Sequence, residues 1–469
     1  MAARAVSLPG SEPPGPDGDW PHTGRFLPWA LAGFMVMLWL VPFDAMNLPV
    51  QMPVDAKLDR VVILVIGAIW LGAMLAQGPA SPRPRRSAVE VGIFLFVTTV
   101  GASILANVDA LANRSELEAA IKNLALLLSY VFFFYMVVTT LRPAEVPRFV
   151  TLMLGLACIT ALGTIWEYRT EENLFYEWAD KLFPGVSVDA DRTGIDTIGR
   201  LYTNGPTGHA VAVATLLSMA VPFAVVSFLR STERRWKAFY AIALVLSLSG
   251  ALATARKTGA LVPVAGLLVI ALYRPRAMLR LAPLGLVAII GIHALAPGAM
   301  GSIKGQLRPD RLERDAPVEG RKQDYAVVSP EIDRRPLMGR GYGSYDPRKY
   351  RFLDNQYLVL MLETGYVGTA AFILLVLLII AICHRTIRSR HPERAPPALA
   401  VAGTALSFAV ASSFYDALAF PHVPYLLFFL AAVAATLRAE LPETATQRTL
   451  GAAAWRASRR FAVAPHPPG

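Results

Sequence analysis

The sequence predicts an all-α integral membrane protein, a polytopic bundle of about twelve transmembrane helices. Three observations carry that prediction. The 469 residues are 54% hydrophobic and only 17% charged, with mean hydropathy +0.45, well short of the ~25% charge of a soluble domain. The apolar residues fall in runs long enough to cross a hydrocarbon core of ~30 Å. Lys and Arg gather in short clusters between alternate runs, the pattern that orients membrane helices. That distribution also sets aside nucleic acid as the reason for the formal net charge of +11.

Residues 1–25 are rich in Pro and Gly without apolar periodicity, and read as a disordered tail. No basic segment, short apolar core and cleavage site follow one another, so the first apolar run (26–43) reads as a retained helix. Further spans are predicted at about 58–76, 88–106, 119–140, 147–168, 207–229, 236–254, 258–273, 276–297, 356–383, 396–414 and 420–438. Residues 26–438 thus form one integral domain, and 439–469 a second tail. Arg83, Arg85, Arg86, Arg142, Arg148, Arg230, Arg234, Arg235, Lys237, Arg274, Arg276, Arg280, Arg385, Arg388, Arg390 and Arg394 all fall in even-numbered loops. The positive-inside rule makes those loops and both tails cytoplasmic. Cys158 and Cys383 lie in apolar spans and do not read as a disulfide.

Two outward loops break the charge rule. Loop 7 is only Ala255-Arg256-Lys257, wedged between apolar helices. Loop 9, about 298–355, carries twelve basic and nine acidic residues. Snorkelling explains Arg256 and Lys257 in bland terms, and a solvated face explains loop 9. A translocated tight turn gains nothing topologically from two cations, however, and gains much if it holds an anion.

The same topology brings further polar residues outward. They are Asn204-Gly205-Pro206-Thr207-Gly208-His209 opening span 6, Arg321-Lys322 in loop 9, and Asp354-Asn355 opening span 10. Charges near a membrane core cost roughly 2.5–3.5 kcal/mol at a helix centre, so they mark function. Guanidinium forks suit phosphate oxygens, and a carboxylate or imidazole takes a proton from a hydroxyl. Cations and a base beside lipid fit displacement of a lipid-linked diphosphate by a sugar hydroxyl.

An ordered set of motifs over about 199–380 resembles the superfamily of O-antigen ligases and Wzy-type polysaccharide polymerases. The set comprises Asn204-Gly205-Pro206, Arg256 in its tight turn, Arg321, and Pro336-Leu337-Met338-Gly339-Arg340-Gly341-Tyr342-Gly343. Asp354-Asn355-Gln356-Tyr357-Leu358 follows, with Glu363, Gly365 and Gly368. The resemblance implies a GT-C-like glycosyltransferase of a bacterial inner membrane, with a large extracytoplasmic loop between helices 9 and 10. Its site would face the periplasm, in the biosynthesis of lipopolysaccharide, exopolysaccharide or other cell-envelope glycans. The donor would be a glycan on polyprenyl (undecaprenyl) diphosphate, and the acceptor a glycan or lipid-linked glycan, with no cofactor and no metal. Arg256, Lys257 and Arg321 would bind the diphosphate, and Asn204, Asn355, Tyr357 and Glu363 would support the site.

The family's usual His is Asp354 here. An ordinary Asp, at about 3.9, is a weak base; burial raises that value and nearby arginines lower it. Asp354 and His209 are therefore both candidate bases. Asp354 also suits an N-cap, His209 a structural donor, and Glu363 polar pairing inside the bundle. Asp189-Ala190-Asp191 reads as a solvated turn, and Asp416 and His293 read as structural. A transporter or flippase of envelope glycans is the alternative from another class, although no internal repeat supports it; a non-catalytic scaffold is a third.

Overall fold

The computed structural model describes residues 26–47, 57–76, 87–188, 202–299, 301 and 316–438, with the side chains of 316–322 excepted. The predicted tails and Asp189-Ala190-Asp191 lie outside the described residues. Each of the twelve predicted spans contains a helix. In chain order they are α1 (Phe26–Leu40), α2 (Leu58–Leu75), α3 (Ala88–Ala106), α5 (Leu117–Thr140), α6 (Val146–Thr170) and α8 (Ala210–Arg230). After these come α9 (Arg234–Ala253), α10 (Thr258–Tyr273), α12 (Ala282–Leu295), α14 (Gln356–Arg388), α15 (Ala395–Ala411) and α16 (His422–Arg438). Shorter connecting helices are α4 (Val108–Asn113), α7 (Leu174–Leu182) and α11 (Pro275–Leu279), and α13 (Ala316–Arg334) lies before α14. Helices α2, α3, α5, α6, α8, α9 and α14 are long and apolar enough to cross a membrane, and the other five spans are shorter apolar helices. The protein is an all-α polytopic membrane bundle.

Helix α8 is its axis. Every residue from Ala210 to Val226 is buried, on all faces, as expected of a helix surrounded by other helices. Its neighbours approach closely because small residues meet. A Cβ on Gly266 of α10 would lie 2.8 Å from Pro222 Cγ, and one on Gly403 of α15 would lie 2.9 Å from the Gly266 carbonyl oxygen. Hydroxyls tie the same helices: Thr404 Oγ1 donates to the Met219 carbonyl at 2.9 Å and Ser407 Oγ to the Val262 carbonyl at 3.0 Å. Apolar lipid gives helices little reason to associate, so such packing and hydrogen bonds hold them together. Helix α2 is the opposite case, with Leu64, Val65, Ile69, Leu71 and Leu75 turned outward.

Loop 9 differs from its reading as a solvated segment, because it contains α13. Val328 and Ile332, four residues apart, pack with Leu353, Leu358, Val359 and Leu362 around the start of α14. Loop 5 contains α7, whose N-terminus is capped by Asn173: its Oδ1 accepts from Phe175 N at 3.0 Å and Tyr176 N at 3.3 Å. Two residues of loop 1, Met46–Asn47 (β1), pair antiparallel with Ser187–Val188 (β2) of loop 5.

Candidate active site

One end of the bundle collects the α8, α10, α14 and α16 N-termini with the α6, α9 and α15 C-termini. The turn entering α8 is built on a buried acid. Glu167, in the last turn of α6, accepts from Asn204 N at 3.1 Å and Gly205 N at 2.8 Å. Gly205 (φ 52°) and Gly208 (φ 69°) take left-handed backbone that favours glycine. Asn173 Nδ2 donates to the Gly205 carbonyl at 2.9 Å, which fastens loop 5 to the turn. Thr203 Oγ1 donates to the Ala253 carbonyl at 2.8 Å, tying the turn to the end of α9.

That last contact sets the turn against loop 7. Ala255 has φ 53°, and the reversal from α9 to α10 leaves Arg256 and Lys257 half-buried. The Arg256 guanidinium lies 3.7 Å from the centroid of the Tyr202 ring, a cation–π contact that orients it without neutralising it. Its Nε is buried and has no hydrogen-bond partner among the described residues. His209, at the N-cap position of α8, makes no cap bond with its side chain. Its ring stacks on Phe420 at 4.4 Å and lies 6.0 Å from Tyr415. Burial, with the Arg256 charge second, pushes His209 down to about 4. The imidazole is therefore neutral at pH 7.

At the start of α14, Asn355 is the cap: its Oδ1 accepts from Tyr357 N at 3.0 Å and Leu358 N at 3.3 Å. The capping role open to Asp354 is thus filled by its neighbour, and Asp354 is exposed at the mouth of the bundle. Asn355 Nδ2 also reaches the Tyr325 hydroxyl of α13 at 3.3 Å. Tyr357 donates its hydroxyl to the Ala409 carbonyl at 2.8 Å, a tie to α15. Arg321 lies in α13, one helical turn before Tyr325; its side chain is outside the described residues, as is that of Lys322.

The glycine-rich run and the Glu363-Thr364-Gly365 motif interlock. Gly365 breaks α14 with φ 68° and ψ −169°. Across the break, Arg340 N donates to the Leu362 carbonyl at 3.0 Å, Gly341 N to the Glu363 carbonyl at 2.9 Å, and Tyr366 N to the Pro336 carbonyl at 2.7 Å. A Cβ on Gly339 would fall 2.3 Å from the Glu363 carbonyl carbon, and one on Gly365 would fall 2.4 Å from that of Leu337. The Glu363 carboxyl accepts from Gly343 N at 2.8 Å and Tyr345 N at 3.0 Å. Backbone packing thus explains the glycine spacing, and Glu363 fastens the strap.

Arg340, inside that strap, is neutralised. Its Nη2 donates to both Glu116 oxygens, at 2.9 and 2.8 Å, and to the Tyr350 hydroxyl at 2.9 Å; its Nη1 lies 3.3 Å from Glu331. Lys349 reaches Glu116 at 3.3 Å, and the Tyr350 hydroxyl also donates to that carboxylate. Burial acts to raise the Glu116 carboxyl, but the bonds from Tyr350 and Arg340 outweigh it and hold the group below its ordinary range. His293, in contrast, is exposed on α12.

The family model described as O-antigen ligase matches residues 242–373. Those residues carry an O-antigen ligase family domain. No curated protein matches the chain. The ligase-family domain spans α9 to the first half of α14, and so contains Arg256, Lys257, Arg321, Asp354 and Glu363; Asn204 and His209 precede it. That match covers less than half of the chain and points, in general terms, to glycan transfer in cell-surface polysaccharide biosynthesis. Reading the sequence missed Glu167 and Tyr202, which build the turn and seat Arg256. An acid at the end of an apolar span was the available signal for Glu167.

Proposed function

We propose that this protein moves a glycan from a polyprenyl-diphosphate carrier to a sugar hydroxyl, as an O-antigen ligase or a polysaccharide polymerase. All twelve apolar helices would cross the inner membrane, and the site would face the periplasm with both tails in the cytoplasm. The observation that carries this reading is Arg256, an oriented guanidinium with a buried Nε that no described protein group satisfies, beside a neutral histidine. A diphosphate supplies the missing acceptors. Lys257 and Arg321 would share the negative charge of the leaving group. Asp354 or His209 would take the acceptor proton; Asp354 is exposed and relieved of capping, and His209 is uncharged at neutral pH. Asn204, Asn355, Tyr357 and Glu363 support the turns and helix starts around them.

A transporter of envelope glycans would place its polar groups near the midplane of the bilayer, whereas these gather at one end of the bundle. The test is reconstitution with a lipid-linked oligosaccharide. Transfer of glycan with release of polyprenyl diphosphate is the expected result; movement of glycan without any bond change would make the protein a transporter. In the same vesicles Asp354→Asn is expected to abolish transfer while the protein still inserts. Normal transfer by Asp354→Asn together with loss in His209→Ala would move the base to His209.

A further inference from the structure

We propose that the end of the bundle away from Arg256 holds a binding site for one anionic phospholipid, its phosphodiester seated among Arg274, Arg388, Arg390 and His391. The inference goes beyond the transferase reading and does not depend on it. Helix α10 starts at the Arg256 turn and α14 just after Asn355, so Arg274 and Arg388 stand at the opposite ends of those helices. Between these ends and the start of α15 lies a cavity of about 520 Å³, whose lining includes Tyr273, Arg274, Ile387, Arg388, Arg390 and His391.

Two ordinary roles leave the cavity unexplained. Cations suit helix C-termini, and basic clusters orient membrane spans; neither role needs them to enclose a hollow. No acid lines the cavity, and among the described residues Arg274, Arg388 and Arg390 have no carboxylate partner. The next acid in the chain, Glu393, donates its backbone N–H to His391 Nδ1 at 3.3 Å. That bond leaves the proton of a neutral His391 ring on Nε2, as a donor. Arg390 has φ 56°, left-handed backbone just past the α14 C-cap, where glycine or asparagine usually sits. An arginine is kept there against backbone strain. The Tyr273 hydroxyl pairs with His384 Nδ1 and ties the ends of α10 and α14 together.

Guanidinium forks match the oxygens of a phosphate, and basic pockets between membrane helices suit lipid headgroups. The depth of the cavity favours a lipid over a free anion. Val264, Leu268 and Leu272, four residues apart on α10, are turned outward and form one apolar face. On α14, Ile373 and Leu377 are exposed at the same spacing. The α10 face ends at Tyr273, an aromatic of the kind that marks the membrane interface. Acyl chains lie along such a face, and the arginines beyond Tyr273 meet the headgroup. The bound lipid thereby clamps the far ends of the two helices that frame the candidate active site.

The test titrates full-length protein in neutral detergent with phosphatidylglycerol or phosphatidylcholine, and reads the bound lipid by native mass spectrometry. Wild type is expected to prefer phosphatidylglycerol, and millimolar inorganic phosphate is expected not to displace it. Arg274→Gln, Arg388→Gln and Arg390→Gln combined are expected to weaken phosphatidylglycerol binding on the order of a hundredfold. The three residues are exposed, so the melting profile should hold. Arg234→Gln, Arg235→Gln and Lys237→Gln combined remove the same charge outside the cavity, and binding is expected to stay within about threefold of wild type. Arg390→Gly relieves the left-handed strain, and is expected to melt no lower than wild type while binding about fivefold more weakly. A wild-type protein without preference overturns the inference, as does equal loss in the two triple variants. Unchanged binding in the cavity variant or in Arg390→Gly also overturns it, and displacement by phosphate would make this a site for a free anion.

Discussion

Arg340 and Arg256 stand at the same end of the bundle, in the same matched domain, in surroundings of opposite kind. Arg340 meets two carboxylates and a phenol, and its charge is spent on holding the strap 335–351 to the α4–α5 connection. Arg256 meets an aromatic face, and its charge reaches a neutral imidazole. A buried cation with its counter-ion built in is part of the architecture; a half-buried cation with none among the described residues is poised for an anion from outside. The difference teaches that an arginine's role here is set by whether an acid has been placed beside it, which residue type and motif position do not reveal.

Mutations that break the architectural side should show in stability. Arg340→Ala leaves Glu116 buried without its main partner and is expected to cost about 3–5 kcal/mol. The amount of folded protein surviving detergent extraction and its melting temperature would report the loss; an unchanged melting temperature would remove Arg340 from the strap. Gly365→Ala should cost roughly 1–3 kcal/mol from the left-handed backbone alone, with more from the Leu337 contact, and the same melting assay reads it. Asn355→Ala removes the α14 cap at a cost of about 1 kcal/mol, visible as a small fall in melting temperature.

These relationships were unevenly legible. The spans were readable because crossing a hydrocarbon layer demands some twenty apolar residues in a row, a constraint that leaves a direct imprint on the sequence. The α9–α10 reversal at Ala255-Arg256-Lys257 was readable for the same reason. Helix α13 was not, because among its described side chains the buried hydrophobic ones are Val328 and Ile332, too few positions to make a period. Nor were the separate fates of Arg340 and Arg256: the acid that neutralises Arg340 lies 224 residues away, at Glu116. The glycines of 339–343 stood out as a motif, but only the close approach to the Gly365 break gives the cause. Asp354 looked like a cap from its residue type, and Asn355 filled that role because its own side chain closes on the next two amides.

On the open side the smallest expected effect concerns acid. The His209 value is depressed to about 4 from an ordinary 6.5, so the unfolded chain binds the extra proton first. Its contribution to stability is present above about 6.5 and is lost as pH falls toward 4. His209→Phe keeps a ring against Phe420 and cannot titrate. The fall in melting temperature between pH 6.5 and 4 is expected to be shallower in this variant than in wild type, and an identical fall would contradict a buried neutral His209.

The most direct measurement is turnover of a lipid-linked oligosaccharide by reconstituted Arg256→Ala beside wild type, with folding of both confirmed by their melting profiles. By analogy with the loss of one transition-state donor, worth about 2–4 kcal/mol, turnover should drop on the order of a hundredfold with little change in stability. A folded Arg256→Ala protein that transfers glycan within about threefold of wild type would contradict the assignment of the open arginine to the diphosphate.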